Sequence, residues 1–245
     1  MIGTSLSHRI QLSPNYGPRW EGAQINLVVL HYTGMSDAAK ACDWLCNESS
    51  QVSSHYLINE AGEIVQMVDE ANRAWHAGVS SWHGDDDVNS ASIGIEIQNL
   101  GHSQGYPDFP MVQMEAVAAL CEDLIVRHGI KPRNILAHSD VAPGRKVDPG
   151  EKFDWAYLHG RGVGHWVKPE PIRGGTYLQA GDSGDAVMAL QAMLKLYGYG
   201  IDVSSQFEPR TKAVVEAFQR HFRPVLIDGV ADQSTVSTLH KLLHR

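Results

Sequence analysis

One stretch of this chain carries more chemistry than a connecting loop requires: Ala137-His138-Ser139-Asp140-Val141-Ala142-Pro143-Gly144-Arg145-Lys146-Val147-Asp148-Pro149-Gly150. Turn formers alone would join two elements. Here a His, two Asp, a Lys and an Arg lie among Pro and Gly, directly after the short apolar run Ile135-Leu136-Ala137. Functional groups collect on loops held by rigid elements. A neutral imidazole with a carboxylate suits zinc, which in catalytic sites takes three protein ligands and keeps one position open. His138 and Asp148 are far enough apart in one loop to wrap back on a single ion. A third ligand has to come from elsewhere.

The best third ligand is His31. It ends the run Ile25-Asn26-Leu27-Val28-Val29-Leu30-His31, which reads as a buried central strand, and it stands just before Tyr32-Thr33-Gly34. That position aims it at a cleft. His55, His76 and His83 compete for the role. Taken alone, any one His is more often a core or surface residue than a ligand. His55, at the start of a strand, and His76, after Trp75 in a segment closed by Gly78, can instead contact substrate or satisfy a buried polar partner. Trp75 and Arg145 are placed with them as candidate substrate contacts at the rim.

A metal also needs a proton carrier. Glu96 is the best candidate, on the polar face of the alternating strand Ser92-Ile93-Gly94-Ile95-Glu96-Ile97-Gln98. Apolar neighbours would desolvate it and raise its pKa toward the range of a general base. The ordinary alternative is a solvated edge-strand Glu. Lys146 stands two residues before Asp148, on the same side if the segment is extended, where its ammonium can answer an oxyanion. Without Asp148 nearby it would read as a surface Lys.

The remaining elements must position these groups. Residues 1–22 read as an irregular arm. Residues 37–47 read as a helix with Asp37 near its start. Residues 54–58 and 63–68 form a hairpin around Asn59-Glu60-Ala61-Gly62. Residues 79–91 and 99–109 are polar loops expected to border the groove. Met114, Val117, Cys121 and Leu124 make the stripe of a long amphipathic helix ending near Gly129. Residues 154–159 form a short helix. Strands and helices alternate up to about residue 168; a Gly- and Pro-rich linker spans 169–176, and residues 177–245 show helical stripes only. The expected fold is therefore an α/β catalytic domain at 1–168, with a mixed sheet flanked by helices, plus a small all-α three-helix domain. A weak echo links Ser204–Thr211 to Asp228–Thr235, each a loop leading into a helix.

Composition excludes several classes. With 245 residues, a core of ordinary size can form. A net charge of -8 argues against a general nucleic-acid or anionic-membrane binder. The three Cys (Cys42, Cys46, Cys121) make no disulfide framework and read as small apolar residues on packed faces. No apolar run is long enough to span a membrane. Residues 1–20 are polar, with no secretory h-region, although a leader removed before Met1 would leave no trace.

Taken in order, His31-Tyr32-Thr33, Ser54-His55-Tyr56-Leu57, Trp75-His76-Ala77-Gly78, Ser92-Ile93-Gly94-Ile95-Glu96, and His138-Ser139-Asp140 through Lys146-Val147-Asp148-Pro149-Gly150 resemble the zinc-dependent N-acetylmuramoyl-L-alanine amidases of the AmpD and AmiD type. The resemblance covers about residues 20–160. It implies one zinc ion held by His31, His138 and Asp148, Glu96 as catalytic carboxylate and Lys146 as transition-state stabiliser. It leaves Asp140 a loop-bracing role. The tail resembles the helical peptidoglycan-binding domain through Asp182-Ser183-Gly184-Asp185-Ala186-Val187, Leu190-Gln191, Gly198-Tyr199 and Phe218-Gln219. Glu208 and Ser204-Ser205 depart from its pattern, and this bears on wall affinity. The implied substrate is peptidoglycan or its muropeptides, cut between the lactyl group of N-acetylmuramic acid and L-alanine. The cell envelope, or periplasm, is the expected location and the cytoplasm the alternative. The rival function on this scaffold is a non-catalytic peptidoglycan-recognition protein.

Overall fold

The computed structural model describes residues 3–244. Strands β1 (Arg9–Ile10) and β2 (Tyr16–Pro18) precede β3 (Leu27–Tyr32), which leads into α1 (Ala38–Leu45). Three short strands follow, β4 (Tyr56–Ile58), β5 (Ile64–Gln66) and β6 (Asn72–Ala74). A helical turn, α2 (Val88–Ala91), enters β7 (Ser92–Ile97). The long helix α3 (Met111–His128) then crosses to β8 (Ile135–Ala137), α4 (His138–Val141) and α5 (Trp155–Gly160). Helices α6 (Asp185–Tyr197), α7 (Pro209–Phe222) and α8 (Gln233–Leu243) complete the described chain. No helix among the described residues is long and apolar enough to cross a membrane.

The main sheet runs β1-β5-β4-β7-β3-β8. It is mixed: β4 and β5 form the antiparallel hairpin, and the other neighbours are parallel. Alternation along β3 and β7 decides what each face buries. Val28, Leu30, Ile93, Ile95 and Ile97 join one core with Met114, Val117, Cys121 and Leu124 of α3. The stripe expected for that helix is therefore the buried one, and Gly129, at φ 67°, closes it in the left-handed conformation that glycine adopts without strain. Asp37 caps α1 by accepting from the Lys40 amide at 2.8 Å.

The opposite face of β3, carrying Leu27 and Val29, belongs to a second core. That core holds Trp82, Val88 and Leu136 together with Val187, Leu190, Leu194, Phe218, Phe222 and Leu239 from α6, α7 and α8. The C-terminal helices thus cover one end of the sheet face, and the end where His31 points stays open. The echo in the tail has a shared geometry. Gln191 Oε1 accepts from the amides of Ser204 and Ser205, and Gln219 Oε1 accepts from those of Asp228 and Gly229. Each amide nitrogen donates onward, to Gln206 O and Val230 O respectively.

The structure departs from expectation at two segments. The arm at 1–22, whose first two residues lie outside the described ones, is not irregular. β1 extends the sheet beside β5, and β2 pairs with β6. These strands are too short to show an alternation; between them, Asn15 ties the arm down by donating to Asn47 O and Val52 O. The segment 79–91 is not simply a loop beside the groove. Trp82 is buried, edge-on to Tyr199 at 5.1 Å, and the segment docks the C-terminal helices.

Candidate active site

The three expected ligands converge. His31 Nδ1 lies 2.8 Å from His138 Nδ1, and these nitrogens lie 3.2 and 3.0 Å from Asp148 Oδ2. All three residues are buried. Their placement follows from local structure. β3 and β8 are parallel neighbours, so the ends of both strands reach the same edge of the sheet. His31 leaves the end of β3, and His138 opens α4 directly after β8. The loop then folds back, and the Ser139 amide donates to Asp148 O at 3.0 Å.

The donor set fits zinc. Tetrahedral ligands about 2.0–2.1 Å from zinc stand roughly 3.3 Å apart, close to the spacing found. His138 Nε2 lies 3.0 Å from the carbonyl of Ala77, which can only accept. Arg145 Nη2 is a more distant neighbour of that nitrogen, at 3.4 Å, so the shorter contact to the carbonyl puts the proton on Nε2, and the Nδ1 lone pair faces inward. Burial, followed by the neighbouring His138, lowers the His31 pKa to about 4, so its ring is neutral as a ligand requires.

Glu96 is the direct partner of His31 in the pairing of β3 with β7. Its Oε2 is buried with no protein partner among the described residues. Burial, and then the Asp148 charge, push its pKa well above the ordinary carboxylate value, while Lys146 opposes the shift. A cleft of about 360 Å³ is lined by His31, Glu96, His138, Lys146 and Asp148 and by Trp44, Val52 and Trp75 among others, so titratable groups and apolar surface share it.

The candidate substrate contacts divide. Trp75 and Arg145 line this cleft. The Arg145 guanidinium is anchored on the carbonyls of Ala77 and Val79. His76 also lines the cleft, but both its ring nitrogens have protein partners, His31 Nε2 at 3.0 Å and Ser92 Oγ at 3.1 Å. His55 does not fit a role as substrate contact. It is fully buried, its Nδ1 accepts from the Gly94 amide, and its Nε2 lies 3.1 Å from Asn72 O. Burial lowers its pKa to about 3, with Arg19 adding to the shift. It ties β4, β6 and β7 together. His83 hydrogen-bonds through its amide to Gly198 O, away from the three donors.

Asp140 has the contacts of a loop brace, as expected, but the sequence did not disclose its partners. Asp140 is fully buried and accepts at Oδ2 from the Ala137 amide at 2.8 Å. Its other partners come from the C-terminal helical region: the Tyr199 hydroxyl at 2.8 Å and His221 Nδ1 at 2.7 Å. His221 is stacked between Trp155 at 3.7 Å and Phe222 at 3.8 Å. Arg210 adds a bond to Pro143 O at 2.9 Å. No local pattern announces these partners. Ser92 was missed as well, although the alternation that singles out Glu96 puts Ser92 on the same face.

Comparison with known proteins identifies the family. Residues 21–151 match the family model described as N-acetylmuramoyl-L-alanine amidase, and residues 183–239 match one described as a peptidoglycan binding domain. The chain is 39% identical to N-acetylmuramoyl-L-alanine amidase AmiD of Escherichia coli, over 99% of this chain and 89% of that protein. It is 39% identical to 1,6-anhydro-N-acetylmuramyl-L-alanine amidase AmpD of Citrobacter freundii, over 61% of this chain and 74% of that one. Among solved structures, AmiD of E. coli in complex with anhydro-N-acetylmuramic acid-L-Ala-D-gamma-Glu-L-Lys superposes with a TM-score of 0.76 at 35% identity, covering 96% of this chain and 92% of that one. AmpDh3 of Pseudomonas aeruginosa gives 0.75 at 30% identity, covering 100% and 98%. The chain belongs to the N-acetylmuramoyl-L-alanine amidase family, with a C-terminal region of the peptidoglycan-binding type.

Proposed function

We propose that this chain is a zinc-dependent N-acetylmuramoyl-L-alanine amidase, hydrolysing the amide between the lactyl group of N-acetylmuramic acid and L-alanine in peptidoglycan or its muropeptides. The observation that carries the reading is the convergence of His31, His138 and Asp148 in one cleft with Glu96, whose buried Oε2 has no partner among the described residues. His31, His138 and Asp148 would hold the ion. Bound there, zinc supplies Lewis acidity toward a carbonyl and acidifies water. Glu96, kept basic by burial, takes the proton of the attacking water and returns it to the leaving L-alanine nitrogen. Lys146, which lines the same cleft, would place positive charge where the oxyanion develops. Trp44, Val52 and Trp75 offer apolar surface beside these groups for the non-reacting part of the substrate.

The solved complexes support the substrate class, since AmiD and AmpDh3 were captured with an anhydromuramic tripeptide and an anhydromuramic pentapeptide respectively. A non-catalytic recognition role is disfavoured because the chain carries all five residues the chemistry needs, and all five line one cleft. A peptidoglycan substrate and the tail favour the cell envelope, or periplasm. The test is mass spectrometry of muropeptide digests with and without chelator. Release of free stem peptide from intact sugar, lost with chelator and restored by zinc, is expected. Shortened peptides, or cleavage indifferent to chelator, would overturn the reading.

A further inference from the structure

The donors behind His31 form a chain with only one consistent proton assignment. Ser92 Oγ lies 2.6 Å from Val88 O and 3.1 Å from His76 Nε2. The carbonyl can only accept, so the Ser92 proton points at Val88, and the hydroxyl oxygen is left to accept from His76 Nε2–H. His76 Nδ1 is then a bare lone pair. It lies 3.0 Å from His31 Nε2, which must carry the proton. His31 Nδ1 is therefore a lone pair directed at His138 Nδ1, 2.8 Å away, and the latter is also a lone pair because of Ala77 O. Two buried lone pairs facing each other repel unless a cation lies between them.

We propose that His76 and Ser92 are positioning residues for the metal: the relay Val88–Ser92–His76 fixes the tautomer and ring orientation of His31 and so strengthens the zinc site. This deepens the zinc reading above and rests on it. The backbone is shaped for the relay. Ser92, Gly94 and Glu96 alternate along one face of β7, and the His76 ring lies over Gly94 so closely that a Cβ there would stand 2.5 Å from its Cγ. The motif Ser92-Ile93-Gly94-Ile95-Glu96 thus serves three roles on one face: an anchor for His76, space for its ring, and the proton carrier. The partner of a metal-bound imidazole is ordinarily a carboxylate, carbonyl or water, and its loss typically costs about 10–100-fold in metal affinity or activity. Here a neutral imidazole takes that place, held in its accepting form by a serine.

The test is zinc affinity by chelator competition on the full chain, with long-range ¹H–¹⁵N NMR of the zinc-loaded protein. In the wild type, His76 is expected to carry its proton on Nε2. His76→Leu should weaken zinc binding by about tenfold or more, and Ser92→Ala by a smaller factor. His76→Asn restores an acceptor near the Nδ1 position, and Ser92→Thr keeps the hydroxyl; both should recover most of the affinity, which a merely structural role would not predict. A His76 protonated on Nδ1, or unchanged zinc affinity in folded His76→Leu and Ser92→Ala, would overturn the relay while leaving the zinc reading intact. A wild-type chain that takes up no zinc would overturn both.

Discussion

His31 and Glu96 are register partners in the parallel pairing of β3 and β7, so their side chains leave the same face of the sheet at the same level. The candidate metal ligand and the candidate proton carrier are therefore set by strand pairing rather than by a flexible loop. A shift of one residue in that register would turn Glu96 into the α3 core.

Glu96→Gln keeps shape and hydrogen-bonding capacity but cannot take a proton. Loss of a general base typically costs about 10²–10⁴ in rate. We expect amidase activity to fall by that order with zinc content unchanged. Because burial disfavours the Glu96 charge, the neutral amide should leave the melting temperature equal or higher. Retained turnover would remove Glu96 from the chemistry.

Lys146→Ala and Asp148→Ala separate charge stabilisation from metal binding. Removing one oxyanion donor in other enzymes costs roughly a hundredfold or more. Lys146→Ala should show such a loss and still bind zinc stoichiometrically. Asp148→Ala should lose the metal together with the activity. Elemental analysis alongside the assay distinguishes the two, and normal zinc content in Asp148→Ala would refute its role as ligand.

A stability prediction comes from the far side of the sheet. Glu70 is fully buried and bonded by Arg127 at 2.5 and 2.8 Å, by His128 at 2.7 Å and by the Tyr56 hydroxyl. Burial opposes its charge, but these partners outweigh it and lower its pKa from 4.5 to about 2. A depressed folded-state pKa gives stability that is complete above the unfolded value and lost as pH falls through the folded one. Glu70 should therefore contribute on the order of 3 kcal/mol above about pH 4.5, fading toward pH 2. Urea denaturation across that window should show the gap between wild type and Glu70→Gln closing as pH falls. A constant gap would refute the linkage.

Tyr199→Phe removes one hydrogen bond to the buried Asp140 carboxyl. Leaving such an acceptor unsatisfied costs about 1–3 kcal/mol, more where the group is charged. We expect a lower denaturation midpoint with one cooperative transition, since the sheet and the C-terminal helices share a core. Two separate transitions would show that the bundle unfolds independently.

The sequence made His31, Glu96, His138 and Asp148 visible because their signals are short-ranged: a His at the end of an apolar run, a Glu in strict alternation, a His and an Asp in one Gly- and Pro-bounded loop. The α3 stripe and the C-terminal helices were visible for the same reason. The two- and three-residue strands β1 and β2 were not, because no periodicity fits in so few residues. The partners of Asp140 were hidden differently. Tyr199 and His221 are ordinary residues of a helical region, and only the tertiary fold brings them to the loop.

That contact limits how the chain can be recombined. A catalytic unit and a wall-binding unit joined by a linker would be interchangeable parts. Here the loop carrying His138, Lys146 and Asp148 rests on Tyr199, Arg210 and His221. Grafting another C-terminal segment onto residues 1–168 would strand a buried carboxyl beside the metal ligands unless the new segment brought equivalent donors. The two halves must be inherited, or engineered, as a matched set.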